Sequence, residues 1–147
     1  MSRQFDAIRA ELARVAGDGA DVLTGDAVRP YLRDGTESRG ASGRADAVVL
    51  PRAPEAVRAV VEWAYEHDVP VCPQGGRTGY AGGAVPDGGI ALPLDGLRRL
   101  RSLDPDYWRV HVDAGVTTRT VQRLARESGL YYPPDPGAAE QSQIGGN

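Results

Sequence analysis

Phe5, Ile8, Leu12 and Val15 recur at spacings of three, four and three, which puts them on one face of a helix over residues 3–16, with Ser2 as its N-cap and Gly17 past its end. The pattern then breaks. Residues 17–44 are polar and glycine-rich apart from a small cluster at Val22, Leu23, Val28 and Tyr31, and residues 33–40 read as a surface loop. A β-branched run over 45–51 closes on Pro51, and Pro54 suits the first turn of a helix over 54–67 that carries Val57, Val60, Val61 and Ala64 on one face. A short apolar strand at 69–72 follows. Strand, helix and strand in so few residues predict a parallel pair joined by a right-handed crossover.

The second half begins with an apolar run at 90–94 and a turn at Asp95, Gly96 and Leu97. Two strands around the turn Asp104, Pro105 and Asp106 follow, at 100–103 and 108–115. Thr117 is the expected N-cap of a helix over 118–128, with Val121, Leu124 and Ala125 inward and Gly129 as terminator. The predicted class is α+β (α/β), with a parallel βαβ core.

With 147 residues, 41% of them apolar, the chain can bury one modest core and form a single domain. A formal charge of −3 gives no basic face, so nucleic acid is not an expected partner, and the 17 positive charges are all arginine. No stretch reaches the roughly 20 apolar residues that cross a bilayer, and the N-terminus lacks the apolar core of a signal peptide. Cys72 is the single cysteine. A reducing, cytoplasmic setting is the expectation. The last residues, 144–147, are Ile-Gly-Gly-Asn, an unusual end for a domain, and the expectation is a chain truncated from a longer one.

Candidate chemistry centres on residues 73–83, Pro-Gln-Gly-Gly-Arg-Thr-Gly-Tyr-Ala-Gly-Gly. Five glycines in nine positions let successive backbone N–H groups converge on an anion and let a ligand approach closely. A P-loop is excluded because the chain has no lysine, and the spacing Gly-x-Gly-x-x-Gly is absent. Taken alone, the loop is equally a wide turn between strands; a second segment, the proline turn and paired glycines of 133–147, tilts the reading toward a binding site. His67 suits the surface at a helix end. Neither it nor His111 has the partners of a catalytic triad, and two histidines and one distant cysteine give no metal-ligand spacing.

Several motifs in order carry a resemblance over about residues 45–147: Pro-x-Gly-Gly-x-Thr-Gly, Ala-Gly-Gly-Ala-Val-Pro, a Val-Asp-Ala-Gly-Val strand end, Pro-Pro-Asp-Pro and Ile-Gly-Gly-Asn. Together they resemble the FAD-binding domain of the vanillyl-alcohol-oxidase/p-cresol-methylhydroxylase (PCMH-type) flavoproteins, nearest to the FAD subunit of glycolate oxidase and to D-lactate and D-2-hydroxyglutarate dehydrogenases. The resemblance implies an N-terminal helix and loop at 1–44 and an incomplete PCMH-type domain at 45–147, the first subdomain plus the start of the second. It implies FAD held by Gly75, Gly76, Arg77, Thr78 and Gly79 through backbone N–H groups, with Pro73, Gln74 and Tyr80 in the same loop and Gly82 and Gly83 packed nearby. Pro134, Asp135, Pro136, Ile144, Gly145, Gly146 and Asn147 are expected on the other side of the cofactor.

Members that attach FAD covalently through this loop carry histidine where this chain has Arg77, so the resemblance implies noncovalent FAD, with Arg77 directed to phosphate or to solvent. The implied function is FAD-linked oxidation of a 2-hydroxy acid such as D-lactate or glycolate, with catalytic and substrate-binding groups expected beyond Asn147. The competing reading is a noncatalytic α/β module that binds a nucleotide or a partner. Retention of flavin and its reduction by a hydroxy acid separate the two.

Overall fold

The computed structural model describes residues 2–147, with side chains from Asp6 onward. Helix α1 spans Ser2–Ala16; the side chains of Ser2 and Phe5, expected as cap and core, lie outside the described residues. Ile8, Leu12 and Ala16 turn inward, as the spacing of the apolar positions requires. Strand β1, Ala20–Leu23, comes next, in the polar, glycine-rich stretch where no strand was expected. Two 3-10 helices follow at Gly25–Tyr31 and Gly35–Arg39.

The remaining elements lie close to their expected ranges. They are β2 at Ala47–Pro51, α2 at Pro54–Glu66, β3 at Val71–Gln74 and β4 at Ile90–Pro93, then the hairpin β5 at Leu100–Asp104 with β6 at Arg109–Val112. Helix α3 at Thr118–Glu127 completes the set, and the Thr117 hydroxyl accepts from the Thr120 amide as the expected N-cap. Gly129, with φ +73, ends it in the left-handed conformation.

The main sheet has the order β1-β2-β4-β3, with β1 antiparallel to β2 and both β2 and β3 parallel to β4. The strands flanking α2 are parallel as expected, yet they are not neighbours: β4 lies between them. Burial explains the order. Ile90, Ala91, Leu92 and Pro93 are all buried, the continuous apolar run of a strand covered on both faces, whereas β3 contains Pro73, which has no N–H for a second neighbour and suits an edge.

One face of the sheet packs on α1 and α2 through Leu12, Val49, Val60, Ala64, Ile90 and Leu92. The other face buries Val48 and Ala91 against Val28, with Tyr31 and Leu32 beside them, so the 3-10 segment acts as a second layer. On α2 the inward residues are Ala56, Val57, Val60 and Ala64; Val61, expected inward, is 45% exposed because 100° per residue carries it past the edge of the stripe. Helix α2 and β3 deliver the chain to the carboxyl edge of the parallel strands, where residues 75–83 leave the sheet.

Candidate functional site

The glycine loop starts from a fixed base. Gln74, the last residue of β3, is buried, and its Nε2 donates to the carbonyls of Tyr31 and Ala84, each at 2.7 Å, tying the start of the loop to its end and to the 3-10 layer. A second tie comes from Asp34, which is also buried. Its Oδ1 accepts from the amide and hydroxyl of Thr36 at 2.8 and 2.6 Å, and the amides of Ala84 and Gly82 lie near its carboxylate. Burial pushes the Asp34 carboxyl upward, and these hydrogen bonds, led by the Thr36 hydroxyl, outweigh it and hold the group below the usual range. Gly35 sits so close that a Cβ there would lie 2.6 Å from the Gly79 carbonyl.

Between these ties the loop's amides are uncommitted. Among the described residues, no backbone N–H from 75–81 donates to a protein acceptor, whereas in the second glycine segment the amides of Ile144 and Gly145 donate to Val116 and Ala114, both at 2.9 Å, and those of Gly146 and Asn147 donate within the segment. An anion-binding nest needs unpaired N–H groups, and of the two glycine segments the first is the one that leaves a run of them without a protein acceptor among the described residues.

The second segment forms the facing wall. It is sewn to the start of α3: the Thr118 amide donates to the Ser142 carbonyl at 2.9 Å, and Asn147 bridges Thr118 and Ser142 through two 2.6 Å side-chain bonds. The two segments touch at Gly76, where a Cβ would lie 1.9 Å from the Gln141 carbonyl oxygen. Glycine is required there by the close approach of backbone, and its φ lies outside the left-handed region.

A cleft of about 330 Å³ opens between the walls. Of the expected site residues, Pro73, Gly75, Gly76, Arg77, Thr78, Gly79, Gly83 and Gly146 line it. Gln74 lies beneath the loop, Tyr80 points outward at 68% exposure, and Gly82 stands outside the lining with φ +78. Ile144, Gly145 and Asn147 form the back of the second wall. Pro134, Asp135 and Pro136 are not brought to the cleft: Gln122 of α3 holds the turn by donating to the Pro134 carbonyl at 2.8 Å and to Asp135 at 3.2 Å.

The Arg77 side chain is engaged within the protein. Its Nη1 lies 3.2 Å from Asp95 Oδ2, and its guanidinium stands 5.2 Å from the centre of the Tyr31 ring. The missed residues are Asp34, Asp95, Ser142 and Gln143; Asp34, Ser142 and Gln143 are buried and Asp95 partly so, and no pattern in the sequence sets any of them apart from surface polar residues.

Other candidates fall away on geometry. His67 is exposed, stacks on Trp63 and sits 2.7 Å from that residue's carbonyl; His111 is exposed on β6. The Cys72 thiol is pushed up, first by burial and then by the charge of Asp34. No group of three or more metal-binding side chains occurs among the described residues, and none of their helices is long and apolar enough to cross a membrane. A groove of about 360 Å³ between the hairpin and α3, lined by Leu103, Trp108, Leu124 and Tyr131, is more apolar but contains none of the candidate residues.

The cleft fits one part of a dinucleotide. Gly79, Gly83 and Gly146 have no atom within 4 Å of a Cβ position, so these glycines face open space, and the free amides supply donors for phosphate oxygens. At the lower end of the usual range of about 300–1,000 Å³ for small-molecule sites, the cleft has room for a pyrophosphate and its nearest sugars.

Comparison with known proteins finds relatives over most of the chain. D-2-hydroxyglutarate dehydrogenase of Stutzerimonas stutzeri is 33% identical over 138 residues, 93% of this chain and 29% of that protein. D-lactate dehydrogenase of Anaerostipes hadrus is 33% identical over 86% of this chain and 26% of its own length, and glycolate oxidase subunit GlcD of Bacillus subtilis is 35% identical over 69% and 22%. The chain thus spans less than a third of each of these relatives. Among solved structures, p-cresol methylhydroxylase shares the fold over the whole chain and 29% of its own, with a TM-score of 0.78 at 24% identity. The model of the FAD binding domain matches residues 45–147, and the chain belongs to that family.

Proposed function

We propose that this chain is the FAD-binding portion of an FAD-linked oxidoreductase that oxidises a 2-hydroxy acid such as D-lactate or glycolate. The observation that carries the reading is the row of unpaired amides at 75–81, opening on a cleft whose far wall is the second glycine segment. Membership of the family and relatives that act on hydroxy acids support it.

Bound FAD supplies the acceptor for the hydride that leaves the hydroxy acid. This chain's own residues bind and orient. The amides of Gly75, Gly76, Thr78 and Gly79 would hold the pyrophosphate, with Arg77 contributing its backbone N–H; Pro73 and Gly83 shape the mouth and Gly146 the opposite lip. Asp34 and Gln74 keep the loop's ends in place. FAD is held without a covalent bond, since Arg77 offers no nucleophile and its guanidinium is engaged with Asp95. Groups that hold the substrate carboxylate and take its proton belong to other parts of the whole protein in this reading. A cytoplasmic location belongs to the same proposal, consistent with a lone cysteine.

The test is to purify the full-length protein and follow its flavin spectrum. D-lactate, glycolate and D-2-hydroxyglutarate are added without oxygen, and bleaching of the flavin band by one of them is the expected result. A flavin that binds but stays oxidised with all three removes the substrate class; a protein that takes no FAD favours the noncatalytic module.

A further inference from the structure

We propose that Asp95 is a positioning residue for the cofactor loop: it holds Arg77 in the conformation that presents the 75–81 amides, and it fixes the facing wall through Gln143. This rests on the FAD reading above. Arg77 has φ +56, a left-handed conformation that arginine seldom adopts unaided. It sits in the middle of the unpaired amides, so its backbone turn decides where its neighbours' N–H groups point.

Three side-chain contacts keep it there. Nη1 reaches Asp95 Oδ2 at 3.2 Å and the Gly75 carbonyl at 3.5 Å, and the guanidinium lies over Tyr31. Asp95 is well placed as an anchor because it lies two residues past the end of β4, and the Leu94 amide beside it donates to the Gln74 carbonyl at 2.9 Å. Its other oxygen, Oδ1, accepts from Gln143 Nε2 at 2.5 Å. One carboxylate therefore touches both walls of the cleft.

Gln143 depends on that contact. Its side-chain Oε1 is buried and has no hydrogen-bond partner among the described residues, so Nε2 to Asp95 is the side chain's one polar tie there. The Arg77–Asp95 pair is mostly shielded from solvent, at 24% and 30% side-chain exposure, which leaves it less screened than the chain's exposed pairs.

The substitutions separate positioning from plain structural support. D95N keeps an oxygen for Gln143 and turns an N–H toward Arg77, breaking that arm alone. R77G supplies a residue that adopts φ +56 without help. In the full-length protein, FAD fluorescence quenching should show D95N weakening binding by about tenfold. In an R77G background the same change should cost less than about twofold. In FAD-free protein, D95N should speed tryptic cleavage of the Arg77–Thr78 bond, read by mass spectrometry.

Unchanged FAD affinity in D95N, or an equal loss in both backgrounds, overturns the proposal. If the unsubstituted protein takes no FAD, the functional reading fails separately. The tryptic arm then still decides whether Asp95 holds the loop: faster cleavage supports that hold, and an unchanged rate overturns it.

Discussion

Gly76 and Gly79 stand three residues apart in one loop and do different jobs. Gly76 gives way to the Gln141 carbonyl, so a side chain there collides with backbone that has no room to yield. Gly76→Val should separate the two glycine segments and cost roughly 1–3 kcal/mol or more as overpacking, seen as a lower urea midpoint even without FAD. Asp34 gives a pH signature. Its pKa is depressed in the fold, so its stabilisation is complete above the ordinary carboxylate value near 4 and is lost as pH falls through the lower folded value. Acid titration of stability should lose part of its slope in Asp34→Asn. That glycines mattered was legible in the sequence. Which glycine meets protein and which faces open space was not, because the answer lies with Gln141, 65 positions away from Gly76.

Among the elements, the strands and helices were legible from their periods, but the order of strands was not. The apolar run at 90–93 carried the signal for a central strand, and Pro73 the signal for an edge; the crossover rule fixes direction and says nothing about a strand inserted later. β1 was missed because Ala20–Leu23 alternates only weakly, with Val22 alone buried, and its pairing partner β2 comes much later in the chain. Leu92 sits 2% exposed in the centre of the sheet, against α2's side of the core. Leu92→Ala should lower stability by about 2–5 kcal/mol, measured by chemical denaturation, with β4 unable to close the cavity because its backbone is bonded on both sides.

For the whole molecule, residues 2–44 and 45–147 share one sheet and one core, since β1 pairs with β2, and Leu12, Ala16 and Val22 pack with Val49 and Val60. The match to the FAD binding domain covers 45–147, so a protein cut to that range keeps every family motif. It would nevertheless lose Asp34 and the edge strand beside β2. Such a cut should leave a poorly soluble chain with little cooperative unfolding by circular dichroism, and cooperative melting like that of the uncut chain would show the N-terminal segment to be dispensable. The motifs were legible because they are local. The way the 3-10 layer clamps the loop depends on contacts between residues 34–36 and 78–84, which no local pattern records.

In the proposed function, FAD lies on the open side of the glycine loop and not on its packed side. Gly79→Val tests it most directly, because a Cβ there meets no protein atom within 4 Å and the residue's φ lies outside the left-handed region. The full-length protein and this variant are purified side by side, and flavin is measured in the supernatant after acid precipitation. The expected result is a yellow parent that releases all its flavin, and a colourless variant with an unchanged melting temperature. A Gly79→Val protein that retains FAD as the parent does, or flavin left in the parent's pellet, would contradict it.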